Sequence, residues 1–300
     1  MIKTFDEIIK VAKEKGPKTI AVAVAQDTEV LNAVNMAKEL GIADAILVGD
    51  KDEIVKAAKN CGVDINKYEV VDIKDKTEAS RKAVELVSTG KAHIVMKGLV
   101  DTSIVLKAVL DEKIGLRTGN VLSHVAVFDV AGYDRLLYVT DAAMNLAPNL
   151  MQKKQIIENA VQVANALGND NPKVAVLAAV EKVNPKMQAT VDAAELVRMN
   201  KAGELKGCTL GGPFALDNAI SVEASKHKGI TDPVAGYAEI LMVPFIEAGN
   251  MLYKSMVFFA RAKNAGILVG AKAPVVLTSR ADSDEAKLNS IAIGALMVSI

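Results

Sequence analysis

The sequence predicts an α/β protein of two α/β domains with a cleft between them. Three observations lead there. Short apolar runs alternate with helical stretches through the first half. Those runs are apolar on consecutive positions, as in strands buried on both faces. A second strand and helix series begins at Lys173, and 300 residues suffice for two domains of ordinary size.

The elements follow in order. An opening helix, MIKTFDEIIKVAKEKG, is followed by a strand at Thr19–Ala25, a helix near 28–40, a strand at Ala45–Val48 and a helix near 51–60. A strand at Tyr68–Ile73, a helix near 77–88 and a strand at His93–Met96 complete the first alternation. Val121–Val130 and Arg135–Thr140 are separated by only Ala131–Asp134, which predicts an antiparallel hairpin. A long helix runs from beyond Pro148 to about Ala166, where Gly168–Pro172 supplies turn residues. Strands at Lys173–Ala178, Glu239–Val243, Gly266–Val269 and Val275–Thr278 follow, and the stretch from about Ser283 to Ile300 reads as one helix. The expected division is 1–143 with 284–300 against 144–283. Ligands of open α/β sheets bind beyond the carboxyl ends of strands, so a cleft between the halves is the expected site.

Composition excludes several classes. With 36 basic and 36 acidic residues the net charge is zero, and only 4% of residues are aromatic, with no Trp. Neither the basic excess nor the stacking platforms of a nucleic-acid binder are present. Apolar runs fall far short of the roughly 20 residues that span a membrane, and the N-terminus lacks the apolar core of a signal peptide. A cytoplasmic protein is expected. Cys61 and Cys208 lie too far apart in sequence for a CxxC motif and read as bystander thiols. Thr89-Gly90-Lys91 resembles the end of a P-loop, but Glu85 and Ala92 occupy positions that need Gly and Ser or Thr. The three histidines, His93, His124 and His227, lack metal-site spacing. His124, inside a strand run, reads as structural.

Specific motifs appear late in the chain: Asp232-Pro-Val-Ala-Gly236, then Pro244-Phe-Ile-Glu-Ala-Gly-Asn250 with Tyr253 and Lys254, then Ala273-Pro-Val-Val-Leu-Thr-Ser279-Arg280. In this order and spacing they resemble the phosphate acetyl/butyryltransferase family. Agreement extends through Met96–Thr102 (MKGLVDT), Gly115–Gly119 (GLRTG), Ser123–Phe128 (SHVAVF), Thr140-Asp141 with Asn145, and Val183–Met187 (VNPKM). The butyryltransferase branch is the most similar, in motifs and in length. The resemblance implies an isocitrate/isopropylmalate dehydrogenase-like architecture and a homo-oligomer. It also implies reversible conversion of acyl-CoA and phosphate into acyl phosphate and CoA. Coenzyme A is then a substrate, with no permanently bound cofactor and no metal. The resemblance further implies that Ser279 and Arg280 contact substrate. The base of the acetyltransferases falls at Ala286 here, leaving Asp282, Asp284 or a cationic environment as substitutes.

The residues themselves fit an anion site. Leu277–Glu285 runs from a strand end into a helix start; Asp282 or Ser283 can cap that helix, and Asp282 with Glu285 has capping-box spacing. Free amides and the helix dipole favour an anion, which Arg280 can hold in bidentate fashion. A surface pair of Arg280 with Asp282 or Asp284 is the structural alternative. Lys107 and Arg117 are candidates for a second positive charge, Lys97 for a cation at a strand end, and Glu247 and Asn250 for the wall of the CoA cleft. With zero net charge these cations are expected to concentrate in one cleft, and without Trp the adenine and acyl chain are expected to rest on aliphatic and methionine surfaces. A phosphate acetyltransferase, a non-catalytic CoA- or nucleotide-binding module and a metal-dependent decarboxylating dehydrogenase are the competing functions.

Overall fold

The computed structural model describes residues 1–279 and 282–298. In chain order the elements are α1 (Phe5–Glu14), β1 (Lys18–Ala23), α2 (Thr28–Glu39), β2 (Ala43–Gly49), α3 (Lys51–Cys61), β3 (Glu69–Asp72), α4 (Lys76–Ser88), β4 (Ile94–Lys97) and α5 (Thr102–Val109). Then come β5 (Ser123–Asp129), β6 (Leu137–Thr140), α6 (Leu150–Ala166), β7 (Lys173–Leu177), α7 (Gln188–Lys201), β8 (Thr209–Phe214), α8 (Leu216–Ile220) and α9 (Val222–His227). The last are β9 (Ile240–Met242), α10 (Ile246–Phe258), β10 (Lys263–Val269), β11 (Val275–Val276) and α11 (Asp284–Met297).

The chain forms two compact units: Phe5–Asn120 with the chain from Ala265 onward, and Met1–Thr4 with Val121–Asn264. In the first unit the strands run β3-β2-β1-β4-β11-β10, parallel except for the antiparallel pair β11 and β10. The second orders them β5-β6-β9-β7-β8, with β5 and β6 as the expected antiparallel hairpin and the remaining pairs parallel. The structure moves both expected boundaries, from 143/144 to 120/121 and from 283/284 to 264/265. The ladders give the reason: β6 bonds to β9, which fixes the hairpin in the second unit, and β11 bonds to β4, which returns 275–276 to the first.

The crossovers of the first unit share one device. Asp27, Asp50 and Asp75, each placed between a strand and a helix, accept backbone N–H bonds of 2.9–3.3 Å from the first turns of α2, α3 and α4. A carboxylate there satisfies amides without helical partners and complements the dipole. Parallel strands therefore end, and helices begin, along one edge.

One strand escaped the sequence reading. β8 contains Gly211-Gly212-Pro213, residues that read as a turn, yet it bonds in parallel to β7 through a register shift.

Candidate active site

The carboxyl edge of the first unit gathers three strand ends. Ala23 of β1 is level with Lys97 of β4, and Val276 of β11 with Met96, so Leu277 to Ser279 continue beyond the same line. Just past β1, Val24 is wholly buried with φ of 60°. A β-branched residue in the left-handed region costs on the order of 1–3 kcal/mol. Two bonds hold it there: Gly98 N donates to Ala23 O at 2.9 Å and Leu99 N to Val24 O at 2.8 Å. Glycine is required at 98, since a Cβ would stand 2.2 Å from Val24 O. The ammonium of Lys97, itself buried, turns onto this loop and donates to Gly98 O at 3.3 Å and Val100 O at 3.4 Å.

The Ser279 turn is bonded both ways. Ser279 N donates to Asp282 Oδ2 at 2.6 Å, and Asp282 N donates to Ser279 O at 3.2 Å. Asp282 is thereby occupied in closing the turn, and the cap of α11 is Ser283, whose Oγ accepts from Ala286 N at 3.2 Å. The capping box expected from Asp282 and Glu285 is replaced by this arrangement. Asp284, in the first turn, accepts from Asn32 Nδ2 at 3.0 Å and ties α11 to α2. Arg280 lies outside the described residues.

Two groups unread in the sequence complete this edge. Asp27, the cap of α2, has its carboxyl raised above the ordinary range by burial, against the lowering effect of the Val30 N–H. Lys287 of α11 is only 3% exposed and donates to Asp282 O. The signal for it was present: one lysine inside EAKLNSIAIGALM, a helix apolar on all sides and therefore buried.

Of the four cations expected to share a cleft, only Lys97 is placed at this edge among the described residues. Lys107 lies on α5 and lines a cavity of about 410 Å³ with Thr77, Glu78 and Arg81 of α4. Arg117 is half-exposed and pairs with Glu112 at 3.6 Å. No bond among the described residues links either to the Ser279 turn.

In the second unit Glu247 and Asn250 are exposed on the first turns of α10. Asn250 Nδ2 donates to Ala142 O at 3.4 Å. Between them and the strand ends, Gly249 admits the chain so closely that a Cβ would meet Asp141 O at 2.5 Å. Asp141 accepts from the N–H groups of Ala143, Met144 and Asn145 and from Asn145 Nδ2 at 2.6–3.2 Å, so the Asp141…Asn145 motif shapes this loop. His124 is buried edge-on to Tyr253, ring centroids 6.3 Å apart, and Tyr253 packs in turn on Phe128. These are core contacts, in keeping with a structural histidine.

The same unit holds a cavity of about 1110 Å³ beyond the carboxyl ends of β7 and β9, framed by the starts of α6 and α7. Its walls include Ala147, Leu150, Ala178, Val183, Met187 and Phe245. Among its polar groups, Lys153 and Asp192 form a buried ion pair of 2.6 Å, and Gln188 donates to the other Asp192 oxygen at 2.7 Å. A position beyond strand ends with apolar walls and few polar groups is typical of ligand pockets.

Among the described residues no cluster of three or more His, Cys, Asp or Glu could hold a metal, and no helix is long and apolar enough to cross a membrane. Burial pushes the Cys208 thiol up to about 12, which leaves it protonated near neutrality.

The phosphate acetyl/butaryl transferase family matches residues 3–81 and 74–295, and the chain belongs to that family. It is 56% identical over 297 residues to the phosphate butyryltransferase of Clostridium acetobutylicum, covering 99% of each chain. It is 45% identical over 292 residues to the phosphate acetyltransferase of Thermotoga maritima, covering 97% of this chain and 99% of that one. Among solved structures, a branched-chain phosphotransacylase from Enterococcus faecalis V583 superposes with a TM-score of 0.84 at 37% identity, covering 94% of this chain and 99% of the other. The 4-hydroxythreonine-4-phosphate dehydrogenase of Klebsiella pneumoniae superposes at 0.57 with 15% identity over 94% of this chain and 99% of the other, a likeness of fold alone that bears out the dehydrogenase-like architecture.

Proposed function

We propose that the chain is a phosphate acyltransferase acting on butyryl-CoA and phosphate to give butyryl phosphate and CoA. One observation carries this: 56% identity with a phosphate butyryltransferase over essentially the full length of both chains. The Ser279 turn supports it, because a strand end, a capped helix start and a buried cation converge there as an anion site requires.

In the direction of CoA acylation, the thiolate attacks the acyl-phosphate carbonyl carbon. The resulting oxyanion collapses, the bond from carbon to the phosphate oxygen breaks, and phosphate leaves. A thiol of pKa near 8.5 is about 3% ionised at pH 7, so full deprotonation gains at most about 30-fold, or about 2 kcal/mol. Positioning is worth up to about 7–11 kcal/mol and each preorganised donor about 3–4 kcal/mol. The assigned roles follow that ranking. Arg280 clamps phosphate, the Ser279 hydroxyl donates to the acyl oxygen or the thiol, and Lys97 adds positive charge at the strand edge. Asp282 and Asp284 hold the turn and the helix start, with a protein carboxylate base contributing least. Glu247 and Asn250 support the CoA-binding wall, and Lys107 and Arg117 act at most as outlying positive charge.

The aliphatic, methionine and phenylalanine walls of the cavity of about 1110 Å³ suit the apolar portions of an acyl-CoA. The exposed Met251, Phe258 and Phe259 of α10 and its end support assembly into a homo-oligomer. Acetyl transfer is the second reading, favoured by the 45% identity with an acetyltransferase. One methylene discriminates by only about 1–3 kcal/mol, so a broad preference is expected. Thiol release measured with acetyl-, butyryl- and branched acyl-CoA, with and without phosphate, tests the proposal. Fastest phosphate-dependent release from butyryl-CoA is expected; fastest release from acetyl-CoA overturns the butyryl assignment.

A further inference from the structure

Three lysines are buried among the described residues: Lys97, Lys153 and Lys287. Lys97 donates to carbonyls of its own loop and Lys153 pairs with Asp192. Lys287 differs from Lys153 in donating to a carbonyl, and from Lys97 in that this carbonyl belongs to the residue bonded to Ser279. It lies on α11 among Ala286, Leu288, Ile291 and Ala292, where desolvating an ammonium is costly. Among the described residues no carboxylate comes within 4.0 Å of it. Its hydrogen bond goes to the backbone oxygen of Asp282, the residue bonded at both its amide and its carboxylate to Ser279. The acidic groups that sense its charge are Asp27 and Glu29 at the start of α2. A buried cation whose hydrogen bond goes to a carbonyl, one bond behind the Ser279 turn, stands where its charge can act on an anion placed there by the proposed reaction.

We infer that Lys287 is a positioning residue of the acyl transfer: it holds the Ser279 turn through Asp282 and supplies a fixed positive charge toward the bound phosphate. It touches no reacting atom. The inference rests on the acyltransferase reading, and the experiment separates the two.

Wild type, Lys287→Met, Lys287→Arg and Ser290→Ala are compared by phosphate-dependent thiol release and by thermal midpoint. Ser290 is the structural control, since its buried hydroxyl on the same helix donates to Ala286 O and accepts from Gly266 N. Lys287→Met is expected to lower kcat by about tenfold or more and to raise KM for phosphate several-fold, with KM for acyl-CoA within about twofold. Lys287→Arg, which keeps the charge, recovers turnover to within about threefold, and Ser290→Ala keeps kcat within about twofold despite a lowered midpoint. A folded Lys287→Met enzyme with wild-type kcat and phosphate KM overturns the inference. So does Ser290→Ala losing as much turnover for the same loss of stability. Where Lys287→Met does not fold, Lys287→Gln is set against Lys287→Arg, and equal turnover overturns it. A wild-type chain without phosphate-dependent release from any acyl-CoA overturns the functional reading and this role with it.

Discussion

Two buried lysines mark the two units. In the second, Lys153 meets Asp192 at 2.6 Å, and Gln188 occupies the second carboxylate oxygen. That charge is neutralised where it stands, inside an otherwise largely apolar cavity. In the first, Lys287 has a carbonyl for a partner. Equal burial therefore yields opposite electrostatics: a closed pair contributes little field beyond itself, while a cation satisfied by a dipole keeps its charge for whatever anion binds nearby. The difference teaches where chemistry and where shape are lodged. In the proposed reaction anion handling belongs to the strand edge of the first unit, while the cavity of about 1110 Å³ lies in the second.

The comparison breaks first at Arg280. If the Ser279 edge is the anion site, Arg280→Ala lowers turnover by about 100- to 1,000-fold and weakens phosphate saturation, measured by steady-state thiol release. Near-wild-type turnover would place the anion elsewhere.

The closed pair is the second place to test the comparison. Lys153→Met leaves Asp192 as an uncompensated buried charge and is expected to cost about 3–5 kcal/mol of unfolding free energy in urea. Lys153→Met with Asp192→Leu recovers most of that stability. A single variant as stable as the parent would show that the pair is hydrated and the contrast with Lys287 false.

The smallest effect concerns an accessible pair, which sets the scale. Asp111 accepts from the N–H groups of Ile114 and Lys113 and pairs with Arg81, which together hold its carboxyl at about 2. In the unfolded chain the value is about 3.9. The folded group is the stronger acid, so its contribution is complete above about pH 4 and is lost as pH falls toward 2. Asp111→Asn should flatten that part of the acid-unfolding curve and leave stability at pH 7 little changed relative to Lys153→Met. An unchanged acid limb would show that Asp111 is not held as its contacts indicate.

Much of this was legible beforehand. The alternation in TIAVAVA, AILV and HIVM placed strands within one or two residues, because parallel strands buried on both faces write their position as continuous apolar runs. The hairpin of β5 and β6 followed from the short link at 131–134. The segment around Ser279 was singled out by its motif and by a strand end meeting a helix start. The Gly-Gly-Pro strand β8 was not legible, because its local composition favours a turn and only the pairing with β7 overrides it.

By itself, then, the sequence determined the α/β class, the hairpin, the family and the segment that carries Ser279, since periodicity, spacing and ordered motifs are local properties of a chain. Tertiary structure alone decided the rest. It put the unit boundaries at 120 and 264, because hydrogen-bond ladders between strands distant in sequence settle which unit a strand joins. It gave Asp282 to the Ser279 amide and the helix cap to Ser283, where spacing allowed either residue to cap. It bonded Lys287 to a carbonyl behind the turn while closing Lys153 onto Asp192. Whether a lysine is paired depends on which carboxylate the fold brings within a few ångströms, a distance that no one-dimensional pattern records.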